Sequence, residues 1–297
     1  VLRRRFSLPA KGDFLDSELC TIAAPHFTIE GRSRAGHETW FRVRELGIAL
    51  DIGRCPDVLV AVPNIFVTHA HLDHALGIPF YAGQRKLQRI GGGRIFVPSE
   101  ALPDFRELMA VHERLEGTTY NLELIGLAAG ESRRISRGLE VRAHAATHRV
   151  PARAYEFIDV RHHLRPEYSG LDSDELARLR QAGTEIAEEY RRSVLFYTGD
   201  TDRGVLENNR DLFRAEVLMI ECSFIAEEHL GAAAAYRHIH FDDIAEFAEM
   251  FENELIVLTH FSRRYDRAEI RDLLRRRCPA VLRDRIRLAL GGGVQEL

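Results

Sequence analysis

Cysteine is scarce in this 297-residue chain: the four present, Cys20, Cys55, Cys222 and Cys278, are widely spaced and form no CxxC pair. That excludes a disulfide framework and a thiolate zinc site, and a reducing compartment, the cytoplasm, fits best. No run approaches the roughly 18 consecutive apolar residues that a membrane span needs, and no apolar signal core stands near the start, so no membrane partner is expected. The sequence opens on Val1 rather than Met, which leaves the true N-terminus open. Lysine is nearly missing, with Lys11 and Lys86 the only two, and positive charge rests on arginine, clustered at 3–5, 263–264, 275–277 and 283–287. The net charge of -4 gives no global attraction to nucleic acid, so an RNA or DNA partner would need a local basic patch. Arginine forks suit phosphate oxygens, although solvated helix faces also account for any one cluster.

What is present is the composition of a folded protein with ample core: 45% hydrophobic, 29% charged, 22 Gly and 10 Pro. One domain over 1–297 is expected, with a small insert at about 160–190, although this length is near the limit of a single core. Short apolar runs bounded by turn residues predict buried strands at 48–52, 59–67, 94–97, 139–143, 193–197, 217–220 and 255–258. Residues 103–115 place Phe105, Leu108, Met109, His112 and Leu115 at helical spacing, which makes His112 a packing or boundary residue. Asp172 with Glu175, and Asp266 with Glu269, read as capping boxes, the first backed by a Leu171–Leu176 staple. A further helix is expected over 242–251. Strands leading and helices interleaving predict a layered α/β or α+β sandwich.

The densest chemistry is Thr68-His69-Ala70-His71-Leu72-Asp73-His74, directly after a predicted strand. Alternate residues of an extended segment point the same way, so His69 and His71 can grip one ion while the following turn swings Asp73 and His74 onto a second. Imidazole and carboxylate are donors that zinc accepts, and without cysteine they leave open positions for catalysis. A two-ion site needs further ligands, and His148, Asp200 and His260 are each the first good donor past an apolar run.

These residues carry a family likeness. The HxHxDH run, Gly199-Asp200-Thr201, and Thr259-His260-Phe261-Ser262-Arg263-Arg264-Tyr265 resemble the metallo-β-lactamase superfamily, and within it the ribonuclease Z family of tRNA 3′-processing endonucleases. Thr147-His148-Arg149-Val150-Pro151 with Tyr155, and Glu221 in Ile220-Glu221-Cys222-Ser223-Phe224, extend the match. Gly36-His37-Glu38-Thr39, Asp51-Ile52-Gly53-Arg54-Cys55-Pro56 and His238-Ile239-His240 look like the short plant-type form, and the likeness runs from about 36 to 265.

The resemblance implies a four-layer αββα sandwich holding two Zn2+ per chain, with other divalent ions such as Mn2+ as substitutes. His69, His71 and His148 would hold one ion, Asp73, His74 and His260 the other, and Asp200 would bridge them. Precursor tRNA would be the substrate, cut at its 3′ trailer by metal-activated water, and a homodimer the working form. Asp73 is then the candidate general base, and His238, oriented by Glu221, the candidate proton donor, with His240 its rival. The PxKxRN loop of many relatives is absent, and the interval between His148 and Asp200 holds a compact insert with Arg161, His162, His163 and Arg165 at its start instead of a long arm.

The HxHxDH run alone does not separate this reading from a hydrolase of small phosphodiesters or of esters, thioesters or lactones. His238, Glu221 and the HFSRRY segment favour the nuclease, because an alkoxide leaving group needs a proton donor. A non-catalytic RNA-binding or scaffold protein would predict lost ligands, and none is lost.

Overall fold

A computed structural model of the chain describes residues 19–292 and 296–297; the arginines at 3–5 and Lys11 lie outside the described residues. Burial alternates along Cys20–Ala23 (β1) and Thr28–Arg34 (β2), as side chains of period two must when one face is wet. These strands open a seven-stranded sheet completed by Glu38–Val43 (β3), Ile48–Leu50 (β4), Asn64–Phe66 (β5), Gly93–Pro98 (β6) and Leu122–Leu127 (β7). A second seven-stranded sheet holds Ser132–Ser136 (β8), Leu139–Ala146 (β9), Ala152–Leu164 (β10), Ala187–Tyr197 (β11), Val217–Glu221 (β12), Leu255–Thr259 (β13) and Ile286–Leu288 (β14). Each sheet begins antiparallel and ends parallel, from β4 to β7 in one and from β11 to β14 in the other.

The helices are Asp57–Val60 (α1), Leu72–Ala75 (α2), Ile78–Leu87 (α3), Leu102–Glu116 (α4), Ser173–Gln181 (α5), Gly204–Asn208 (α6), Leu230–Tyr236 (α7), Phe241–Glu246 (α8), Arg267–Arg277 (α9) and Ala280–Arg283 (α10). Leu59, Ile78, Tyr81, Phe105 and Met109 pack on Ile65, Ile95 and Val97 of the first sheet. Leu206, Ile244, Ile270 and Leu274 pack on Leu218, Ile220 and Leu258 of the second. Phe41, Phe66 and Phe96 meet Tyr155, Phe157, Leu195 and Met219 between the sheets. Three separate cores therefore define four layers, αββα. Phe66 sits at the middle of the inner one, stacked on Phe96 at 4.4 Å and edge-on to Tyr155 and Phe157 at 5.4 and 4.8 Å. Burying each such ring contributes about 1.5–3 kcal/mol.

Several expectations are corrected. The apolar run 59–67 is two elements: Pro56 and Asp57 start the helical turn α1, which buries Leu59 and Val60, and only Asn64–Phe66 is strand. A short buried helix and a buried strand share the same apolar signature, so periodicity could not part them. The helix expected over 242–251 begins at Phe241, stops at Glu246 and gives way to a 3-10 turn, Ala248–Met250. Asp172 and Glu175 form both halves of their box, whereas at Asp266 only the bond from Glu269 N, 2.8 Å, is made. The insert at about 160–190 is built on an extension of the β10–β11 hairpin. β10 leaves β9 after Asp159↔Leu139 yet stays paired with β11 out to Leu164↔Ala187, carrying α5 at its tip.

Candidate metal centre

Parallel strands aim their C-terminal ends at one edge, where ligands of such sheets gather. Here β4 leads into Asp51, β5 into Thr68 to His74, β11 into Asp200, β12 ends at Glu221 and β13 leads into His260, while His148 sits on the β9–β10 turn. The two sheets are pinned together at this edge. Tyr155 Oη donates to Val67 O at 2.9 Å, Arg153 N to Thr68 O at 2.9 Å, and His69 forms a bridge pair with Ala152. Asp51 and His260 adopt positive φ, 54° and 58°, a conformation costly for side-chain-bearing residues that functional sites retain. Gly199, φ 58°, lies so close to Thr68 that an added Cβ would fall 2.5 Å from the Thr68 side chain.

The residues predicted from sequence are brought together. Ligand atoms of His69, His71, His148 and Asp200 lie within 4.8 Å of one another, as do those of Asp73, His74 and His260. Asp200 reaches both groups, with Oδ1 3.4 Å from His74 Nε2 and Oδ2 3.3 and 3.7 Å from the Nε2 atoms of His260 and His69. His238 stands beside them, its ring 5.1 Å from that of His148 and 5.3 Å from that of His260.

Hydrogen bonding fixes the imidazoles in one tautomer. His74 Nδ1 donates to Asp51 Oδ2 at 2.8 Å and His148 Nδ1 to Arg237 O at 3.1 Å, because those partners only accept. Thr68 Oγ1 gives its proton to Asp51 at 2.9 Å and so accepts from His69 Nδ1 at 3.0 Å. Ser223 Oγ gives its proton to Glu221 at 2.6 Å and accepts from His260 Nδ1 at 2.9 Å. In all four rings the Nδ1 proton points outward and Nε2 faces inward. Ring nitrogens therefore converge, His74 Nε2 and His260 Nε2 at 3.4 Å, and His71 Nδ1 at 3.0 and 3.3 Å from the Nε2 atoms of His69 and His148, beside the buried Asp200 Oδ1. Converging ring nitrogens and carboxylates, with outer partners that orient the rings, fit a divalent cation site.

The electrostatics agree for three rings; at His74, burial is outweighed by Asp200 and Asp51, which raise its pKa well above the ordinary value, so without a cation its Nε2 holds a proton 3.4 Å from Asp200 Oδ1. Burial first, then neighbouring imidazoles, hold His69 well below its ordinary pKa; burial also leads the downward shifts of His71 and His148, so these rings are neutral donors. Burial pulls the Asp73 carboxyl up, but bonding to His260 and the charges of His74 and His260 bring it down to about 2. Asp200 is likewise ionised: burial opposes its charge, and His260 and His74 outweigh burial.

His238 Nδ1 pairs with Glu221 Oε1 at 2.7 Å, and Glu221 is fixed from behind by Thr201 N at 2.8 Å and by Ser223. Burial lowers the His238 pKa, but the Glu221 charge and hydrogen bond raise it to about 9, so the ring carries a proton at neutral pH. His240 is buried elsewhere: its Nε2 donates to Ala226 O at 3.0 Å and its Nδ1 caps α8 by accepting from Asp242 N at 3.1 Å. Both nitrogens of His240 are thus spent on structure.

Sequence reasoning gave no site role to Asp51, which accepts from Thr68, His74 and Tyr197, the last at 2.7 Å. The strand-end rule that picked Asp200 would have found it. Arg237 was also missed: besides its carbonyl on His148 Nδ1, its Nη1 donates to His148 O at 3.1 Å. No residue-type signal marks that clamp, which depends on its φ of 57°.

Four layers with a histidine and aspartate cluster at the common edge of two sheets define the class. Residues 52–261 match the family described as Beta-lactamase superfamily domain, a fold that implies a divalent metal. Over 249 residues the chain is 36% identical to tRNase Z TRZ1 of Arabidopsis thaliana, covering 83% of this chain and 89% of the relative. It is 36% identical over 252 residues to the chloroplastic tRNase Z TRZ2 of the same plant, covering 83% and 70%. The crystal structure of human tRNase Z, short form, superposes with a TM-score of 0.56 at 18% identity, covering 78% of this chain and 92% of that one. Within the superfamily, the chain belongs to the tRNase Z (ribonuclease Z) family of hydrolytic endonucleases.

Proposed function

We propose that the chain is a zinc-dependent endoribonuclease that removes the 3′ trailer from precursor tRNA. The observation that carries this reading is the join of a complete two-ion donor set to a protonated His238–Glu221 pair, in a chain that shares 36% identity with tRNase Z over 83% of its length. His69, His71 and His148 would hold one ion, Asp73, His74 and His260 the second, and Asp200 would reach both. Five imidazoles favour zinc over harder ions, with Mn2+ as a substitute. Such ions, when bound, supply positive charge to the phosphate and acidify water. The chain's own groups handle the protons: ionised Asp73 accepts one from the attacking water, and His238 donates one to the leaving 3′ oxygen while Glu221 holds its ring.

Two finer points complete the reading. A homodimer is supported by an exposed apolar groove on α2 to α4, lined by Leu72, Leu76, Phe80, Leu87 and Leu108. The cytoplasm is supported by four free, buried cysteines; no described helix is long and apolar enough to cross a membrane. The deciding experiment incubates the zinc-loaded protein with a precursor tRNA and, in parallel, with bis(p-nitrophenyl) phosphate. A cut next to the discriminator base is expected; hydrolysis of the small diester with the RNA left intact would make the chain a phosphodiesterase of other substrates.

A further inference from the structure

β2 reaches the metal centre from the opposite sheet to His260. Its buried positions run Ile29, Gly31, Ser33, so the face that carries Ile29 into the core between the sheets ends in a buried hydroxyl. Directly across the β2–β3 ladder from Ser33 stands Thr39, also buried, and the two side-chain oxygens share a hydrogen bond at 3.2 Å. Packing alone would favour branched aliphatic residues at such a pair, because a buried hydroxyl is unfavourable unless it is hydrogen-bonded. What the hydroxyls serve lies in the second sheet: His260 N donates to Ser33 Oγ at 3.0 Å, across the line where the sheets meet.

His260 needs that acceptor. β13 stops at Thr259, whose O still accepts from Cys222 N at 2.9 Å, and the φ of 58° then turns His260 out of the ladder. Its main-chain N–H is buried and bonds to Ser33 in place of a strand neighbour. The ring is fixed from this backbone: Nδ1 donates to Ser223 Oγ at 2.9 Å, and Nε2 lies 3.3 Å from Asp200 Oδ2 and 3.7 Å from Asp73 Oδ2. A left-handed residue that bears a side chain persists only where its surroundings over-determine it, and an orphaned N–H would remove one of those constraints. Three residues after Ser33, Gly36 N donates to Asp73 Oδ2 at 2.8 Å, so the same hairpin touches a second member of the Asp73, His74 and His260 group. In the other group His69 and His148 take their outer partners elsewhere, from Thr68 and Arg237.

We propose that Ser33, backed by Thr39, is a positioning residue for the second ion: its hydroxyl holds His260 in the left-handed conformation that aims Nε2 at the centre. The inference rests on the two-ion reading above and not on the choice of substrate. It is tested by titrating zinc against a chelator for the native protein, Ser33→Ala, Ser33→Thr and Thr39→Val, with His260→Ala and His148→Ala marking which binding step belongs to which group. Ser33→Ala should weaken by about 10–100-fold the step that His260→Ala removes, and leave the step marked by His148→Ala within about twofold of native. Ser33→Thr keeps the hydroxyl and should restore most of the lost affinity. Thr39→Val leaves the Ser33 hydroxyl in place and should weaken the same step by less; it carries the test alone if circular dichroism shows Ser33→Ala to be unfolded. Equal weakening of both steps, native affinity in the folded variant that carries the test, or no recovery with threonine would overturn the inference and leave the two-ion reading standing. A native protein that takes up fewer than two zinc ions overturns that reading and this inference with it.

Discussion

In the proposed reaction Asp73 and His238 would act with opposite protonation. Asp73 is held at about 2 and His238 at about 9, so between those limits one is a base and the other an acid. Asp73→Ala should lower turnover by about 10²–10⁴ or more with the circular dichroism spectrum unchanged; near-native rates would remove Asp73 from the mechanism. His238→Ala should slow turnover while bound zinc, counted by atomic absorption, stays at the native level, since its outward nitrogen serves Glu221. The sign of the pH effect follows from the pair. A donor must be protonated, so kcat/KM on precursor tRNA should fall as pH rises through about 9. Glu221→Gln removes the charge that opposes burial, so the alkaline limb should move to lower pH; an unmoved limb would assign it to another group. The same raised pKa contributes stability that is complete below the unfolded histidine value, about 6.5, and is lost as pH rises through about 9. Asp51→Asn should loosen metal by about 10–100-fold, because it withdraws the acceptor that orients His74; a zinc titration against a chelator reads this directly.

At the scale of elements, the turn after β11 is the tightest joint in the site. Gly199→Ala asks an alanine to adopt φ 58° and to place a methyl 2.5 Å from Thr68, which is itself bonded to Asp51. A loss of about 1–3 kcal/mol from the backbone conformation alone is expected, with the contact adding to it; a urea titration showing native stability would mean that the β11 turn can yield. Joints of this kind explain what could be read in advance. His69 to His74, His148, Asp200 and His260 were legible because each is a strong donor directly after an apolar run, and apolar runs report buried strands. Asp51 obeys the same rule but was absorbed into the strand expected over 48–52, although β4 stops at Leu50. β2, reading TIEGRSR, buries Gly31 and Ser33 beside its single apolar residue Ile29, and the outer end of β10 is exposed, so their pairing is set by neighbouring strands and not by their own apolar content. The hairpin extension at the base of the insert escaped notice for the same reason: exposed strands look like loops when only hydrophobic periodicity is read.

For the whole molecule, the candidate ligands come from both sheets. His69, His71, Asp73 and His74 follow the first sheet's β5, while His148, Asp200 and His260 follow strands of the second. Without cations five imidazoles and two carboxylates crowd the line where the sheets meet, with ring nitrogens only 3.0–3.4 Å apart. An ion in either group would join the sheets there, and it binds the folded chain far better than an unfolded one, in which these residues are scattered. Linkage then contributes about 2.7 kcal/mol for each ion at a free concentration of 100 times its Kd. For domains of 150–250 residues each kcal/mol moves Tm by about 2–4 °C, and somewhat less for a longer chain. Dialysis against a chelator should therefore lower Tm by several degrees per ion removed, and back-titration with zinc should restore it in two steps if the groups differ in affinity. His148→Ala should weaken the first group and leave the Asp73, His74 and His260 group with its full share of the shift. A Tm unmoved by chelation, in a protein that loses its zinc, would mean that the sheets are held by the Phe66 and Tyr155 core alone and that the cluster serves chemistry without serving the fold.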